Sequence, residues 1–288
     1  MKSLPVALVT GATSGFGWET AKLLAENGYQ VYASYRSAQK LKDLKGLEKK
    51  LALKSIYIDV TKPATITKAV ASILKKENRV DLLVNNAGFV VAGFLEDLSD
   101  QDLKEQFDTN VVGVLRMIRA VAPSMRGRMS GKIINIGSIS GRVVFPGIGA
   151  YAASKFALRS LTEGLRQELG PSGIQVCEIA PGTFATRVVS STRFGKNVLA
   201  PHSAYKNFRE LVEKKVEASF KNAAPAVKVA ELILRISGQA RLSPVYMAGT
   251  DAKVMNFLKR RLPDSWFEGL FMKIFPWSRF PEAVEDLK

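Results

Sequence analysis

The chain has 288 residues, 47% hydrophobic and 24% charged, a composition that excludes disordered, collagen-like and repeat-dominated proteins and can fill one large core. A single cysteine, Cys177, excludes an intrachain disulfide and lacks the cluster of a thiolate metal centre, and a single histidine, His202, argues against His-based zinc chemistry. Against 26 Asp and Glu stand 42 Lys and Arg, and the net charge of +16 favours anionic partners without specifying one.

The first nine residues superficially resemble the start of a signal peptide. Their apolar part is too short and runs straight into an amphipathic pattern, so 7–9 reads as a first buried strand. Short β-branched runs at 30–33, 53–58, 82–85, 132–136 and 175–179 predict further strands. Apolar residues at helical spacing between them predict helices over 17–27, 38–45, 63–77, 100–126 and 150–169, with a last helix at 229–236 and a last strand at 245–247. Strand and helix alternating at this spacing require a parallel sheet with right-handed crossovers. The expected fold class is therefore α/β, a doubly wound Rossmann-like sheet in a single domain with its core over 5–248.

Residues 183–226, mostly polar and interrupted by Gly195, Pro201 and Pro225, are expected to form a substrate lid with one helix at 204–220. Beyond Gly249 a helical extension over 250–288 carries two apolar faces, Val254, Phe257, Leu258 and Leu262, then Trp266, Phe267, Leu270, Phe271 and Ile274. No apolar run approaches the roughly 20 residues of a membrane span, and a cytoplasmic location is expected.

Three groups carry chemistry. Gly11, Gly15 and Gly17 occupy the turn between the first strand and helix, where a backbone without Cβ lets a pyrophosphate reach the helix N-terminus. Asn85-Asn86-Ala87-Gly88 ends the fourth strand, and ligand crevices of doubly wound sheets lie beyond the strands' carboxyl ends, beside that loop. Taken alone, the glycine loop reads equally well as a plain turn, whereas the place of the Asn turn in the alternation makes that reading weaker for it. Tyr151 and Lys155 are i,i+4 on one helix face, after Ser138 at the end of a strand. A phenol becomes a useful acid–base group when a nearby ammonium favours its phenolate.

In this order, the glycine loop, the Asn turn, Ser138 with Tyr151-x-x-x-Lys155, and Pro181-Gly182 with Thr186 resemble the short-chain dehydrogenase/reductase family. Segments 86–93 and 151–158 look most like its 17β-hydroxysteroid and retinol dehydrogenase branch. The resemblance implies a nicotinamide cofactor and hydride transfer between a carbonyl and an alcohol carbon. It implies that Ser138 holds the substrate oxygen, that Tyr151 exchanges a proton with it, and that Lys155 binds the nicotinamide ribose and lowers the Tyr151 pKa. Asn110 would support a water-linked proton path to Lys155. Cofactor contacts are implied for Gly11, Ser14, Phe16, Gly17, Asn86, Ala87 and Gly88, with Asp59 and Val60 at the adenine. Pro181, Gly182 and Phe184 would border the nicotinamide, with Thr186 near its carboxamide. Tyr35 stands where the family's ribose-binding acid would be and Arg36 follows, which points to NADP(H). Phe94, Val144, Phe145 and Ile148 would line an apolar wall for a bulky steroid-, retinoid- or lipid-like alcohol or ketone. A homodimer or homotetramer is expected, without a metal.

Other readings compete less well. Gly137-Ser138-Ile139-Ser140-Gly141 matches a hydrolase nucleophile elbow with Ser140 as nucleophile, His202 downstream, and Glu163, Glu168 or Glu178 as acid. It leaves the Tyr151/Lys155 pair and both turns without a task. A non-catalytic dinucleotide-responsive sensor is disfavoured by the filled catalytic positions. Nucleic acid is not expected, because the lysines between Lys40 and Lys54 have no aromatic platform beside them. The extension either packs on its own chain or a second subunit, or makes a peripheral membrane contact through 253–279. In the membrane reading Trp266, Phe267, Phe271 and Trp277 enter the headgroup boundary, while Lys259, Arg260, Arg261, Lys273 and Arg279 meet anionic lipid.

Overall fold

In the first strand, Val6 and Leu8 pack into one apolar layer and Ala7 and Val9 into the other. A strand buried on both faces is what a parallel sheet covered on both sides requires. The computed structural model describes residues 4–186, 192–198 and 223–274, with positions 200, 203, 205, 214, 218 and 220. Its strands are β1 (Val6–Val9), β2 (Gln30–Tyr35), β3 (Leu53–Tyr57), β4 (Leu82–Asn85), β5 (Val91–Ala92), β6 (Gly131–Ile136), β7 (Ile174–Pro181), β8 (Phe184–Ala185), β9 (Arg193–Phe194), β10 (Ala224–Pro225) and β11 (Val245–Ala248). Seven of them form one parallel sheet in the order β11-β7-β6-β4-β1-β2-β3. Each strand expected from the sequence is present, with ends within two residues.

The helices are α1 (Gly15–Glu26), α2 (Leu41–Glu48), α3 (Pro63–Glu77), α4 (Asp100–Phe107), α5 (Gly113–Gly127) and α6 (Gly149–Leu169), followed by Val227–Ser237, Thr250–Arg261 and Asp264–Ile274. Helices α3, α5 and α6 cover one face of the sheet through Ile66, Ile73, Met117, Val121 and Leu158. Helices α1 and Val227–Ser237 cover the other through Ala21, Leu24, Val229 and Ile233. This is the doubly wound α/β fold in one domain. Its strand order reverses between β1 and β4, so the ligand crevice lies beyond the carboxyl ends of those two strands.

Four expectations change. The single helix over 100–126 is two helices joined by a π-turn at Asp108–Val112, a local widening that side-chain bonds to the backbone must hold open. The helix expected over 38–45 starts as a 3-10 turn, Ala38–Lys40, and becomes α-helical only at Leu41. In the Thr250–Arg261 helix the inward face is Ala252, Met255, Leu258 and then Leu262, while Val254 and Phe257 are exposed. In the next helix Phe267 is buried against Ile139 and Val143, whereas Trp266 is 71% exposed, so the aromatic face expected to meet lipid is divided. Phe267 therefore belongs to the chain's own packing. The helix expected at 204–220, with His202, Trp277 and Arg279, lies outside the described residues apart from isolated positions. Among the described residues no helix is long and apolar enough to cross a membrane.

Candidate active site

The turn after β1 is held against the turn after β4 by one threonine and one asparagine. Thr10 Oγ1 accepts from the Asn86 and Ala87 backbone N–H groups at 2.9 and 3.0 Å. Asn86 Nδ2 donates to the Thr10 and Gly11 carbonyls at 2.9 and 3.1 Å, and Ser34 Oγ on β2 accepts from Gly11 N at 2.9 Å. Gly11 has φ +64°, and a Cβ there would lie 2.9 Å from the Ala87 Cα. Gly17 packs on the Gly11 carbonyl itself. The Asn86 side chain thus fastens the glycine loop. Ser14 heads α1 without capping it, and the first turn of α1 carries no acid. Its N-terminal N–H groups and positive dipole end are left facing the crevice, a cradle that fits a pyrophosphate.

Other expected cofactor residues gather around this loop. The Phe16 and Phe184 rings meet edge to face at 5.5 Å, and Thr186 reaches ordinary van der Waals contact with the Gly15 position. Pro181 ends β7 and Gly182 follows it, with Thr183 N donating to Asp251 Oδ2 at 2.6 Å. Beyond β2, the Tyr35 ring packs on Tyr57 at 5.7 Å and Arg36 is exposed. Asp59 is buried and accepts from Thr61 N and Oγ1 at 3.0 and 2.7 Å, so its carboxylate closes its own turn. Val60 is buried beside it and packs against Gly113.

The residues expected to react converge on α6. Ser138 ends the turn after β6 and its Oγ accepts from Ser140 N at 3.1 Å. Tyr151 lies near enough to Ser138 for that hydroxyl to favour its ionised form. Lys155 Nζ lies 5.6 Å from the centroid of the Tyr151 ring and donates to the Ile136 carbonyl at 2.8 Å. Asn110 sits in the π-turn. Its Oδ1 accepts from Phe89 N at 3.2 Å, and its Nδ2 donates to Phe89 O at 3.1 Å and to Ser154 Oγ at 3.2 Å. Ser154 Oγ in turn donates to the Tyr151 carbonyl at 2.7 Å. Asn110 therefore ties the loop after Gly88 to the turn of α6 that carries Tyr151, and its direct bonds do not include Lys155.

The electrostatics depart from expectation. Burial pushes the Tyr151 phenol up to about 12, opposed by the nearby Ser138 hydroxyl. Burial pushes Lys155 down to about 8, opposed by the negative charge of Glu178. Both groups lose water, and each becomes harder to charge. A linkage follows for Lys155. Its protonated form is penalised on folding, so stability is lower below pH 8 and recovers as pH rises from about 8 towards the unfolded value of 10.5. Relative to Lys155→Met, the wild-type protein should gain about 2 kcal/mol in urea unfolding between pH 7.5 and 10; parallel pH dependences would contradict the low lysine pKa.

A cavity of about 430 Å³ is lined by Phe94, Val144, Phe145 and Tyr205, together with Glu268 and Met272 of the Asp264–Ile274 helix. Phe94 stacks on Tyr205 at 4.0 Å. Ile148 is not among its lining residues. It precedes α6 and bridges Gly93, because the chain must turn there into the helix. Sequence reasoning missed Glu268, Met272 and Tyr205, which reach the cavity from distant parts of the chain. It also missed Ser34, whose role depends on the alignment of β1 and β2. Ser140 is buried in the 3-10 turn Ile139–Gly141, with no strand–turn–helix elbow to present it.

A doubly wound sheet with this loop at its switch point and a Ser–Tyr–Lys–Asn set beside it defines a class of nucleotide-dependent α/β oxidoreductases. The description short chain dehydrogenase matches residues 5–197, and the chain belongs to that family. "Uncharacterized oxidoreductase YusZ" of Bacillus subtilis is 34% identical, with 97% of each chain covered. A "3-ketodihydrosphingosine reductase" of Bacteroides thetaiotaomicron is 40% identical over 63% of this chain and 64% of its own. A short-chain dehydrogenase from Streptomyces avermitilis superposes with a TM-score of 0.78 at 30% identity, covering 99% of both chains. Nicotinamide dinucleotides of both kinds occur among similar structures. A Burkholderia phymatum protein was solved with NAD (TM-score 0.77, 25% identity, 90% of this chain and 94% of that one). A variant of actinorhodin polyketide ketoreductase was solved with NADPH (TM-score 0.74, 27% identity, 87% and 97%).

Proposed function

We propose that this oxidoreductase uses NADP(H) to interconvert a carbonyl and an alcohol on a bulky apolar, lipid-like molecule. The observation that carries the reading is the convergence of Ser138, Tyr151 and Lys155 beside the glycine loop at the sheet's switch point. Gly11, Ser14, Phe16, Gly17, Ala87 and Gly88 would hold the dinucleotide along the α1 N-terminus and β4 turn, with Asn86 fixing the loop. Asp59 and Val60 would flank the adenine, and Pro181, Gly182, Phe184 and Thr186 the nicotinamide. Bound there, the nicotinamide supplies or accepts the hydride. Ser138 Oγ holds the substrate oxygen, and Tyr151 Oη gives it a proton during reduction. A phenol kept protonated at neutral pH is ready for that direction. Asn110 fixes the turn of α6 that carries Tyr151.

NADP(H) is favoured by Arg36 at the end of β2, where Tyr35 rather than an acid would face the ribose and Asp59 is already engaged. A charge-assisted contact to a 2′-phosphate would favour NADPH over NADH by about tenfold or more. Arg36→Ala should remove most of that difference in titration calorimetry; an unchanged ratio would assign the preference elsewhere.

The lipid-like substrate class is supported by the cavity lined with Phe94, Val144, Phe145 and Met272, and by the relative named for a sphingoid ketone. Steroid and retinoid ketones share that shape. The segment over 183–226 is the proposed lid. Its β9 is pinned to β5, and its β10 to β8. NADPH consumption at 340 nm across a panel of apolar ketones and aldehydes tests the whole reading. Tight NADPH binding with no turnover on any of them would favour the sensor alternative.

A further inference from the structure

Arg142 and Glu178 form a buried ion pair beneath the loop that carries Ser138. Arg142 Nη1 and Nη2 donate to Glu178 Oε1 and Oε2 at 3.1 and 2.7 Å, and both side chains are less than a tenth exposed. Glu178 lies on β7, where Cys177 and Ile179 face the opposite layer, so its carboxylate projects towards α6. There it lies so close on Gly137 that a Cβ at that position would collide with it. At the far end of the same loop, Gly141 packs on the backbone of Lys155, where a Cβ would come within 2.9 Å of its carbonyl oxygen. Lys155 Nζ binds the carbonyl of Ile136, the residue before Gly137. Ser138 thus sits in a loop gripped at one end by Glu178, at the other by Arg142, and laid along Lys155.

We propose that Arg142 and Glu178 are a positioning pair for the reaction: Glu178 fixes the Ser138 loop and supplies the negative charge facing Lys155, while Arg142 balances that charge. The proposal rests on the oxidoreductase reading of Ser138, Tyr151 and Lys155. An ion pair out of water is seldom needed for stability alone, since apolar side chains of similar volume often replace one without loss.

Few other charges face Lys155 among the described residues. Tyr151 is one turn away on its own helix. Near Asn110, Asp102 and Asp108 are paired with Arg193 and Arg116. Strands β4 and β6 present the neutral Asn85 and Asn135. Beyond β7, Asp251 is engaged by Thr183 N, and Cys177 belongs to the other layer. Glu178 is the charge that favours the Lys155 ammonium against burial. Removing its charge leaves the Arg142 cation beside Lys155; removing the Arg142 charge leaves the carboxylate unopposed. The two changes must shift Lys155 in opposite directions, which a pair without electrostatic access to Lys155 would not do.

The test is titration of the cofactor-free protein labelled with 13Cε-lysine, the Lys155 signal being assigned by its loss in Lys155→Met. Glu178→Gln should lower the midpoint by about one pH unit and Arg142→Met should raise it by a similar amount. The double variant, with no unpaired buried charge, should return close to wild type. Circular dichroism confirms folding of each. Shifts of the same sign, or no shift, in folded variants would overturn the proposal. If Glu178→Gln does not fold, the other two decide: a midpoint that fails to rise in Arg142→Met, or fails to return in the double variant, overturns it. Because this readout needs no turnover, NADPH consumption by the wild-type protein judges the oxidoreductase reading separately.

Discussion

Tyr151→Phe is expected to lower kcat/KM for carbonyl reduction by at least about a hundredfold while leaving NADPH affinity within about twofold of wild type. The substitution removes one hydroxyl and keeps the ring that lies beside Lys155. A general acid in the transition state contributes on the order of a hundred- to ten-thousandfold, and Tyr151 is the phenol that Ser138 influences. A single hydroxyl contributes only about 1 kcal/mol to folding, so the melting temperature should move by a few degrees at most. Comparable turnover by the variant would remove Tyr151 as the acid, and with it the proposed chemistry.

Gly17→Ala should have the largest effect among substitutions of the cofactor cradle. The added methyl would fall against the Gly11 carbonyl and the Asn86 amide, the two groups whose hydrogen bond holds the loop to the β4 turn. Backbone cannot rotate out of the way as a side chain can. Forcing a methyl into such a contact costs about 2–3 kcal/mol, a fall in melting temperature of roughly 5–10 °C for a chain of this size. NADPH affinity should drop by more than about tenfold, because the displaced loop no longer aims its N–H groups into the crevice. Gly164→Ala in α6 is the matched control. Nothing lies within 4 Å of that position, and alanine in a helix interior should raise stability by about 0.5–1 kcal/mol. Equal melting temperatures and equal NADPH affinities for Gly17→Ala and the wild type would show that the loop does not hold the dinucleotide.

What was legible in the sequence was whatever depends on local periodicity and on short motifs. The double-sided burial of β1 and the apolar stripes of α3 and α6 are visible in the spacing of Val6–Val9, Ile66/Ile73 and Leu158, because residues a few positions apart share a face by backbone geometry alone. The order of these elements fixes a parallel sheet, and the sheet fixes where Gly11, Asn86, Ser138 and Tyr151 must converge.

What only the tertiary structure decided was everything set by contacts between distant segments. The π-turn at Asn110 exists because both ends of its side chain bind the Phe89 backbone, a partner 21 residues away that periodicity cannot see. The inward face of the Thr250–Arg261 helix followed Met255 and Leu258 rather than Val254 and Phe257, since the turn at Ile139 and Val143 offers it only one surface. The raised phenol of Tyr151 and the lowered ammonium of Lys155 follow from shared burial, which overrides the mutual stabilisation that their i,i+4 spacing suggests. Arg142 and Glu178 lie 36 residues apart, and only the packing of β7 against the Ser138 loop turns two unremarked charges into one buried pair. Spacing determines which residues share a face; desolvation and long-range packing determine what that face can do.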